Sequence, residues 1–237
     1  MKNRLDFIIK TRGIGVFLSN PGMGKTTSLR SVLSGLNENR YKVIYICLTT
    51  ITALDFYRAV ANELGLEETP QKTRMFRNIQ EELRRLITDK KMEVIIAIDE
   101  VQFLRKEVLR EFIMLLNFDY DSKDYCTLIL TGQNEFLKTL RFKQLEPFRQ
   151  RINMSYIFSG LDETEVKEYV VSRLRLVNCR EDLFLEESYH TLYSLMNTSV
   201  RTLNQLINKS LILGMHKNVS QISSNLIMEA SKEILMG

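Results

Sequence analysis

Nine consecutive residues carry the clearest chemistry in this chain: Ser19-Asn20-Pro21-Gly22-Met23-Gly24-Lys25-Thr26-Thr27. An apolar run, Ile14–Leu18, precedes them, and a helix-favouring segment follows, ending near Gly35. Strand, Gly-rich loop, Gly-Lys-Thr and helix form the phosphate-cradling order of a P-loop. A triphosphate needs several backbone N–H groups converging on its oxygens, and glycines allow the main chain to come that close. The helix that follows turns its positive end and its unpaired N–H groups toward the same anion. Asn20, Pro21, Gly22, Met23, Gly24, Lys25, Thr26 and Thr27 are the expected ATP-binding residues. Lys25 would meet the β and γ phosphates, and the Thr26 hydroxyl would ligate Mg²⁺. The first glycine of the usual pattern is replaced by Ser19, whose side chain is small but adds a Cβ.

A second motif supplies the other half of such a site. Val94–Ile98 is a short apolar run that ends in Asp99-Glu100. In this reading Asp99 joins Thr26 as the metal-side residue, and Glu100 orients and activates the attacking water. Hydrolysis asks for this division of labour, because for phosphoryl transfer the protein supplies mainly position and charge compensation.

These residues need strands and helices to hold them. Val43–Leu48 reads as a second buried strand, rich in β-branched residues, and Thr127–Leu130 as a fourth, running into Thr131-Gly132-Gln133. Met154–Phe158 is the expected fifth. Leu54, Phe56, Tyr57, Val60, Ala61 and Leu64 recur at helical spacing and are closed by Gly65. Thr69-Pro70 resembles an N-cap with proline at the first helical position. The helix it would open places Met75, Phe76, Ile79, Leu83, Leu86 and Ile87 on one face. Another helix is expected through Leu116, with Leu104, Val108, Phe112 and Leu115 in step. Alternating strands and helices imply an α/β fold around a parallel five-stranded sheet. From Ser159 the strand signal stops. Asp162-Glu163-Thr164-Glu165 looks like a capping box opening a helix through Val177, and segments near 186–196, 199–214 and 220–235 also read as helical. The expected division is a core over residues 1–158 and a small helical lid over 159–237.

With 237 residues, 44% hydrophobic and 26% charged, the composition is that of an ordinary globular protein with room for a sizeable core. No apolar run approaches the ~18 residues of a membrane span. The first residues lack the apolar stretch of a secretory signal. Cys47, Cys126 and Cys179 are scattered and read as reduced thiols of a cytoplasmic protein, while His190 and His216 are isolated. The net charge of +4 is unevenly spread: residues 1–158 carry 25 Lys/Arg against 19 Asp/Glu, and residues 159–237 carry 8 against 10. A mildly basic core permits nucleic-acid contact without requiring it.

Together the motifs resemble the AAA+ ATPases, and within them the ExeA/TnsC/MuB-like branch. The resemblance runs over nearly the whole chain, through the P-loop, Asp99-Glu100-Val101-Gln102, Leu116-Asn117-Phe118-Asp119, Leu128–Gln133, Phe148-Arg149-Gln150-Arg151-Ile152 and Val200-Arg201-Thr202-Leu203-Asn204. It is similar to short ATPases encoded beside transposases. Such relatives usually carry some tens of residues before the first strand, and this chain has about a dozen, so some of the adenine-facing surface would be missing or differently built. The resemblance implies a sensor of the γ-phosphate at Thr131 or Gln133, with Gln133 the choice. It implies an arginine finger at Arg151, with Arg149 the alternative, and a second sensor at Arg201, although the glycine that usually precedes it is absent from Asn197-Thr198-Ser199.

Lys72, Arg74, Arg77, Arg84 and Arg85 mark the helix after Pro70, interrupted by Glu81 and Glu82. A solvated face is the ordinary account of such a stretch. Lys72 and Arg74 nonetheless fall in the opening turns, where cations oppose the helix dipole at about 0.3–1 kcal/mol each, and that cost hints at an anionic partner. The resemblance implies duplex DNA in this part of the core, so Lys72, Arg74 and Arg77 are expected contacts, with Thr49, Thr50 and Thr52 as possible additions. The function expected is an ATP-dependent ATPase that forms a homo-oligomeric ring or filament, binds double-stranded DNA and regulates a transposase or its target choice. The alternatives are an ExeA-like ATPase serving secretion, and a nucleotide switch with little turnover.

Overall fold

The computed structural model describes residues 1–47, 52–115 and 126–235. Leu48, Thr49, Thr50, Leu116 and the block Leu116–Asp119 lie outside the described residues. The chain divides into two units, Met1–Ser19 with Lys25–Phe158, and Asn20–Gly24 with Ser159–Gly237.

The first unit is an α/β fold on a five-stranded, all-parallel sheet, as the alternating pattern implies. Its strands are β1 (Gly13–Ser19), β2 (Tyr41–Cys47), β3 (Glu93–Asp99), β4 (Cys126–Gln133) and β5 (Ile152–Ile157), in the order β2-β3-β4-β1-β5. All seven residues of β1 are buried, and β3 and β4 are buried along nearly their whole length, because helices cover both faces. Strand alternation sends Val94, Ile96 and Ile98 to one face and Ile95 and Ala97 to the other. On the first face lie α3 (Ala53–Leu64), α4 (Lys72–Thr88) and α5 (Lys106–Leu115), with Phe56 against Phe112 at a centroid distance of 4.5 Å. Opposite are α1 (Lys2–Thr11) and α2 (Lys25–Ser34).

Several expectations shift. The residues before β1 form a helix, α1, which buries Leu5, Ile8 and Ile9 at helical spacing against the sheet. The second strand is an edge strand with only Ile44 and Ile46 fully buried, since nothing pairs beyond it among the described residues. Pro70 does not start α4. Gln71 is the N-cap and Lys72 the first helical residue, while Thr69 Oγ1 donates to Gln71 O at 3.3 Å. Between β4 and β5 the basic stretch forms a helical turn, α6 (Phe136–Leu140), a 3-10 turn (Lys143–Leu145) and α7 (Glu146–Gln150).

The second unit packs α8 (Glu163–Leu176), α9 (Glu186–Leu195), α10 (Val200–His216) and α11 (Ser224–Leu235) around Val166, Val170, Leu192, Leu203, Leu206 and Ile227. The capping box is made: Asp162 Oδ1 accepts from Glu165 N at 2.8 Å, and Glu165 Oε2 from Asp162 N at 3.0 Å. α11 starts at Ser224 rather than near 220, because Ile222 bridges back to Phe184. Among the described residues, no helix is long and apolar enough to cross a membrane.

Candidate functional site

The parallel sheet delivers the motif residues to one edge, because β1, β3 and β4 all end there. Register places Ser19 opposite Gln133, and Cys47 opposite Asp99. Lys25 and Thr26, the first residues of α2, follow β1 through the loop Asn20–Gly24.

Asp99 is the hub. It is 1% exposed, and its carboxylate accepts from four segments. Thr26 Oγ1 donates to Oδ2 at 2.6 Å, and Tyr45 Oη to the same oxygen at 3.0 Å. Thr131 Oγ1 donates to Oδ1 at 2.7 Å, and so does Glu100 N at 3.0 Å. A buried carboxylate is tolerated only with such a complement of donors. Tyr45 comes from two residues before the strand end of β2, a neighbour that spacing along the chain does not reveal. Burial, ahead of the proximity of Asp99, pushes its phenol up to about 12, against the hydrogen bond from Arg30, which lowers it; the hydroxyl stays a donor at neutral pH. The Arg30 guanidinium lies 5.4 Å from the ring centre.

Lys25 is buried at 6% exposure. Its ammonium donates to Ser19 Oγ at 2.9 Å and to Ser19 O at 3.3 Å. The serine at the atypical position therefore gives the lysine a hydroxyl partner that glycine could not. Gly22 and Gly24 have φ of 78° and 85°, in the left-handed region. A Cβ on Gly22 would stand 2.3 Å from Ser199 Oγ, and one on Gly24 would meet nothing within 4 Å. The donor set fits a phosphate and a hard cation: an ammonium, a helix start, and a hydroxyl and a carboxylate oxygen in mutual contact.

Glu100 leaves the strand in the left-handed conformation, φ 57° and ψ 42°, and caps a 3-10 turn, Val101–Phe103. This turns its side chain out of the strand's alternation. Its Oε2 accepts from Gln102 Nε2 at 2.6 Å, and Gln102 Oε1 accepts from Gln133 N at 2.9 Å. In the sequence Gln102 stands out only as the last residue of the block Asp99-Glu100-Val101-Gln102. What recruits it is the tip of β4, two strands from β2 in the sheet.

Other expected residues are placed as follows. Arg151 caps the end of α7, with its N–H donating to Phe148 O at 3.1 Å. Arg149 donates from Nη1 to Leu140 O at 3.3 Å. In the second unit the Arg201 side chain is exposed and its backbone N–H donates to Gly22 O at 3.2 Å. The turn before it carries Asn197 and Thr198 at φ 47° and 63°, conformations that a glycine would adopt without cost. Lys72 is not a free cation: its ammonium meets Glu111 Oε1 at 2.6 Å, and Tyr57 Oη donates to Glu111 Oε2 at 2.7 Å. That carboxylate offsets the dipole cost on which the DNA expectation leaned. Arg85 is likewise paired with Glu82. Arg74 and Arg77 are exposed. Thr52 is the N-cap of α3, its hydroxyl donating to Asp55 Oδ2 at 2.6 Å and accepting from Asp55 N at 3.2 Å, so it serves the helix rather than a phosphate.

A family described as AAA domain matches residues 8–140. General secretion pathway protein A of Aeromonas hydrophila is 27% identical over 224 residues, covering 94% of this chain and 41% of that protein. The fold is similar to Cdc6p from Pyrobaculum aerophilum (TM-score 0.74, 16% identity, 100% of this chain and 66% of that one). It is also similar to the Aeropyrum pernix ORC1 protein solved in complex with DNA (0.67, 15%, 98% and 64%). A third likeness is to the Thermotoga maritima RuvB Holliday junction branch migration motor (0.60, 14%, 98% and 67%). The chain thus spans about two fifths of the secretion relative and about two thirds of these structures. With more than half of its length matched and the sheet order and P-loop in place, the chain belongs to the AAA domain family.

Proposed function

We propose that this chain binds ATP with Mg²⁺ and hydrolyses it, and that its ATP-bound copies assemble as a ring or filament on double-stranded DNA in the service of a transposase. The observation that carries the ATPase reading is the Asp99 hub, in which the hydroxyl of the Gly-Lys-Thr motif is bonded to the carboxylate at the end of β3. Lys25, whose ammonium lies on Ser19 in this structure, would bind the phosphates. Thr26 and Asp99 would hold the cation, which supplies charge neutralisation on the phosphate oxygens. Glu100 would orient the attacking water and take its proton. Gln133, at the tip of β4, is the proposed sensor of the terminal phosphate, with Thr131 committed to Asp99. Arg151 would reach a neighbouring copy, and Arg201 would act as the second sensor.

Support for DNA comes from the excess of Lys/Arg over Asp/Glu in residues 1–158, from exposed Arg74 and Arg77, and from a fold shared with a protein solved with DNA. With Lys72 engaged by Glu111, the two arginines are the contacts of this reading that keep an uncommitted charge among the described residues. A second reading, an ATPase acting on protein partners in secretion, is favoured by the relative named for general secretion.

The test is fluorescence anisotropy of a labelled duplex with the Glu100→Gln variant, with and without ATP, at two salt concentrations. ATP-dependent, sequence-tolerant binding that weakens steeply with salt is expected, and Arg74→Glu with Arg77→Glu should flatten the salt slope. Absence of ATP-dependent binding at low salt would pass the assignment to the protein-directed reading.

A further inference from the structure

The 3-10 turn after β3 places one amide between the two strand ends that the ATPase reading needs most. A carboxylate only accepts and a backbone N–H only donates, so the Gln102 amide has one orientation that satisfies both neighbours. Nε2 faces Glu100 Oε2 at 2.6 Å, and Oε1 faces the Gln133 N–H at 2.9 Å. The space beside Gly132 is closed by the same side chain together with Val101, since a Cβ there would stand 2.6 Å from Gln102 Oε1, 2.7 Å from Val101 Cγ2 and 3.0 Å from Val101 N. The amide thus lies tight against the tip of β4. Glu100, already turned out of the strand by its left-handed backbone, has its Oε2 held by Gln102.

We propose that Gln102 is a positioning residue: it fixes the Glu100 carboxylate to the tip of β4, so that a displacement of Gln133 moves the group that orients the attacking water. This inference rests on the ATPase reading of the site and adds to it a mechanical link between the residue expected to sense the terminal phosphate and the residue expected to activate water. Other donors do not duplicate that link. Thr131 and the Glu100 N–H are bonded to Asp99, on the metal side of the site, and Gln102 is the residue that joins the Glu100 carboxylate to β4 among the described hydrogen bonds.

Three variants separate the parts. Gln102→Leu keeps the approximate bulk and removes both bonds. Gln102→Glu keeps an acceptor for the Gln133 N–H but sets a second carboxylate against Glu100. Gly132→Ala leaves Gln102 in place and crowds its amide oxygen. ATP turnover should fall by about 10- to 100-fold in Gln102→Leu and Gln102→Glu, the scale of a catalytic group misplaced by about 1 Å. ATP affinity by calorimetry should stay within about twofold, a shift of roughly 0.4 kcal/mol. In the Glu100→Gln background, where the carboxylate is gone, Gln102→Leu should cause no further loss of single-turnover rate. Amide exchange followed by NMR gives a readout apart from turnover. Gln133 N–H should lose protection in Gln102→Leu and retain it in Gln102→Glu, and a non-hydrolysable ATP analogue should alter it in the unsubstituted protein. Wild-type turnover in both Gln102 variants, an undiminished loss in the Glu100→Gln background, or unchanged Gln133 protection in Gln102→Leu would overturn the proposal. Should Gln102→Leu fail to fold, Gln102→Glu decides it: turnover should fall while the Gln133 N–H keeps its protection, and wild-type turnover there would overturn the proposal. Absence of turnover in the unsubstituted protein would refute the ATPase reading instead, and the Gln133 exchange would still decide the link.

Discussion

Replacing Thr131 by valine tests how much the Asp99 hub depends on each donor. Thr131 is fully buried, and its hydroxyl donates to Asp99 Oδ1 at 2.7 Å, with Ile98 O at 3.3 Å as a second acceptor. Valine keeps the branched shape and deletes that donor. A hydrogen bond to a charged group contributes about 1.5–3 kcal/mol. Asp99 Oδ1 keeps the Glu100 N–H at 3.0 Å, and Oδ2 keeps Thr26 and Tyr45, so the carboxylate is impoverished rather than abandoned. That places the loss in the lower half of the range, about 1.5–2 kcal/mol. With a urea dependence of about 2 kcal/mol per molar, the unfolding midpoint of the sheet unit should fall by about 0.75–1 M. Asp99→Ala completes a double-mutant cycle, in which Thr131→Val should cost markedly less, since only the longer bond to Ile98 O is then lost. A midpoint within about 0.2 M of the parent, or the same loss in both backgrounds, would refute the hub as described.

Three further outcomes are expected. Lys25→Ala should weaken ATP binding by at least ~30-fold, or about 2 kcal/mol, measured by calorimetry, since the P-loop loses its cation; unchanged affinity would remove Lys25 from the site. Mixing Arg151→Ala with Lys25→Ala subunits should restore part of a hydrolysis whose trans-arginine contributes ~10³–10⁵ in rate, and a mixture that assembles yet stays inactive would exclude Arg151 as the finger. Tyr57 is buried with its hydroxyl on Glu111, and burial, then Glu111, raises its pKa above the ordinary phenol value. A raised folded value means stability present in full below about pH 10 and lost as pH climbs beyond it. Tyr57→Phe should therefore flatten the alkaline decline in urea midpoint, and an identical decline in both proteins would contradict the burial argument.

The parts legible in the sequence were those in which local pattern and tertiary need agree. β1, β3 and β4 are buried on both faces, so they read as unbroken apolar runs, and Asp162 with Glu165 announced the start of α8 through chemistry confined to four residues. Thr26 and Asp99, singled out from the Gly-Lys-Thr and Asp-Glu motifs, are in hydrogen-bond contact in the folded chain. What escaped depends on strand order or on competition for a partner. α1 has no side-chain cap and no acidic first turn, and Leu5, Ile8 and Ile9 make a helical pattern too short to stand out before the sheet they cover is known. Tyr45 and Gln102 join the site through β2 beside β3 and β4 beside β3, pairings that no local spacing encodes. Lys72 and Thr52 looked available to an anion because their partners, Glu111 on another helix and Asp55 in a cap, claim them only in the folded chain.

The five residues Asn20–Gly24 keep company with the helical unit, while Ser19 before them and Lys25 after them belong to the sheet. The consequence is one of inheritance. A graft that exchanged residues from 159 onward would bring in a new turn at the place where Ser199 leaves no room for a Cβ on Gly22, and a new donor where the Arg201 N–H meets the Gly22 carbonyl. The helical module is therefore not a free cassette. Among descendants of such a chain, residues 20–24 and 197–201 should change together or not at all, and a workable chimera has to carry both stretches from the same parent.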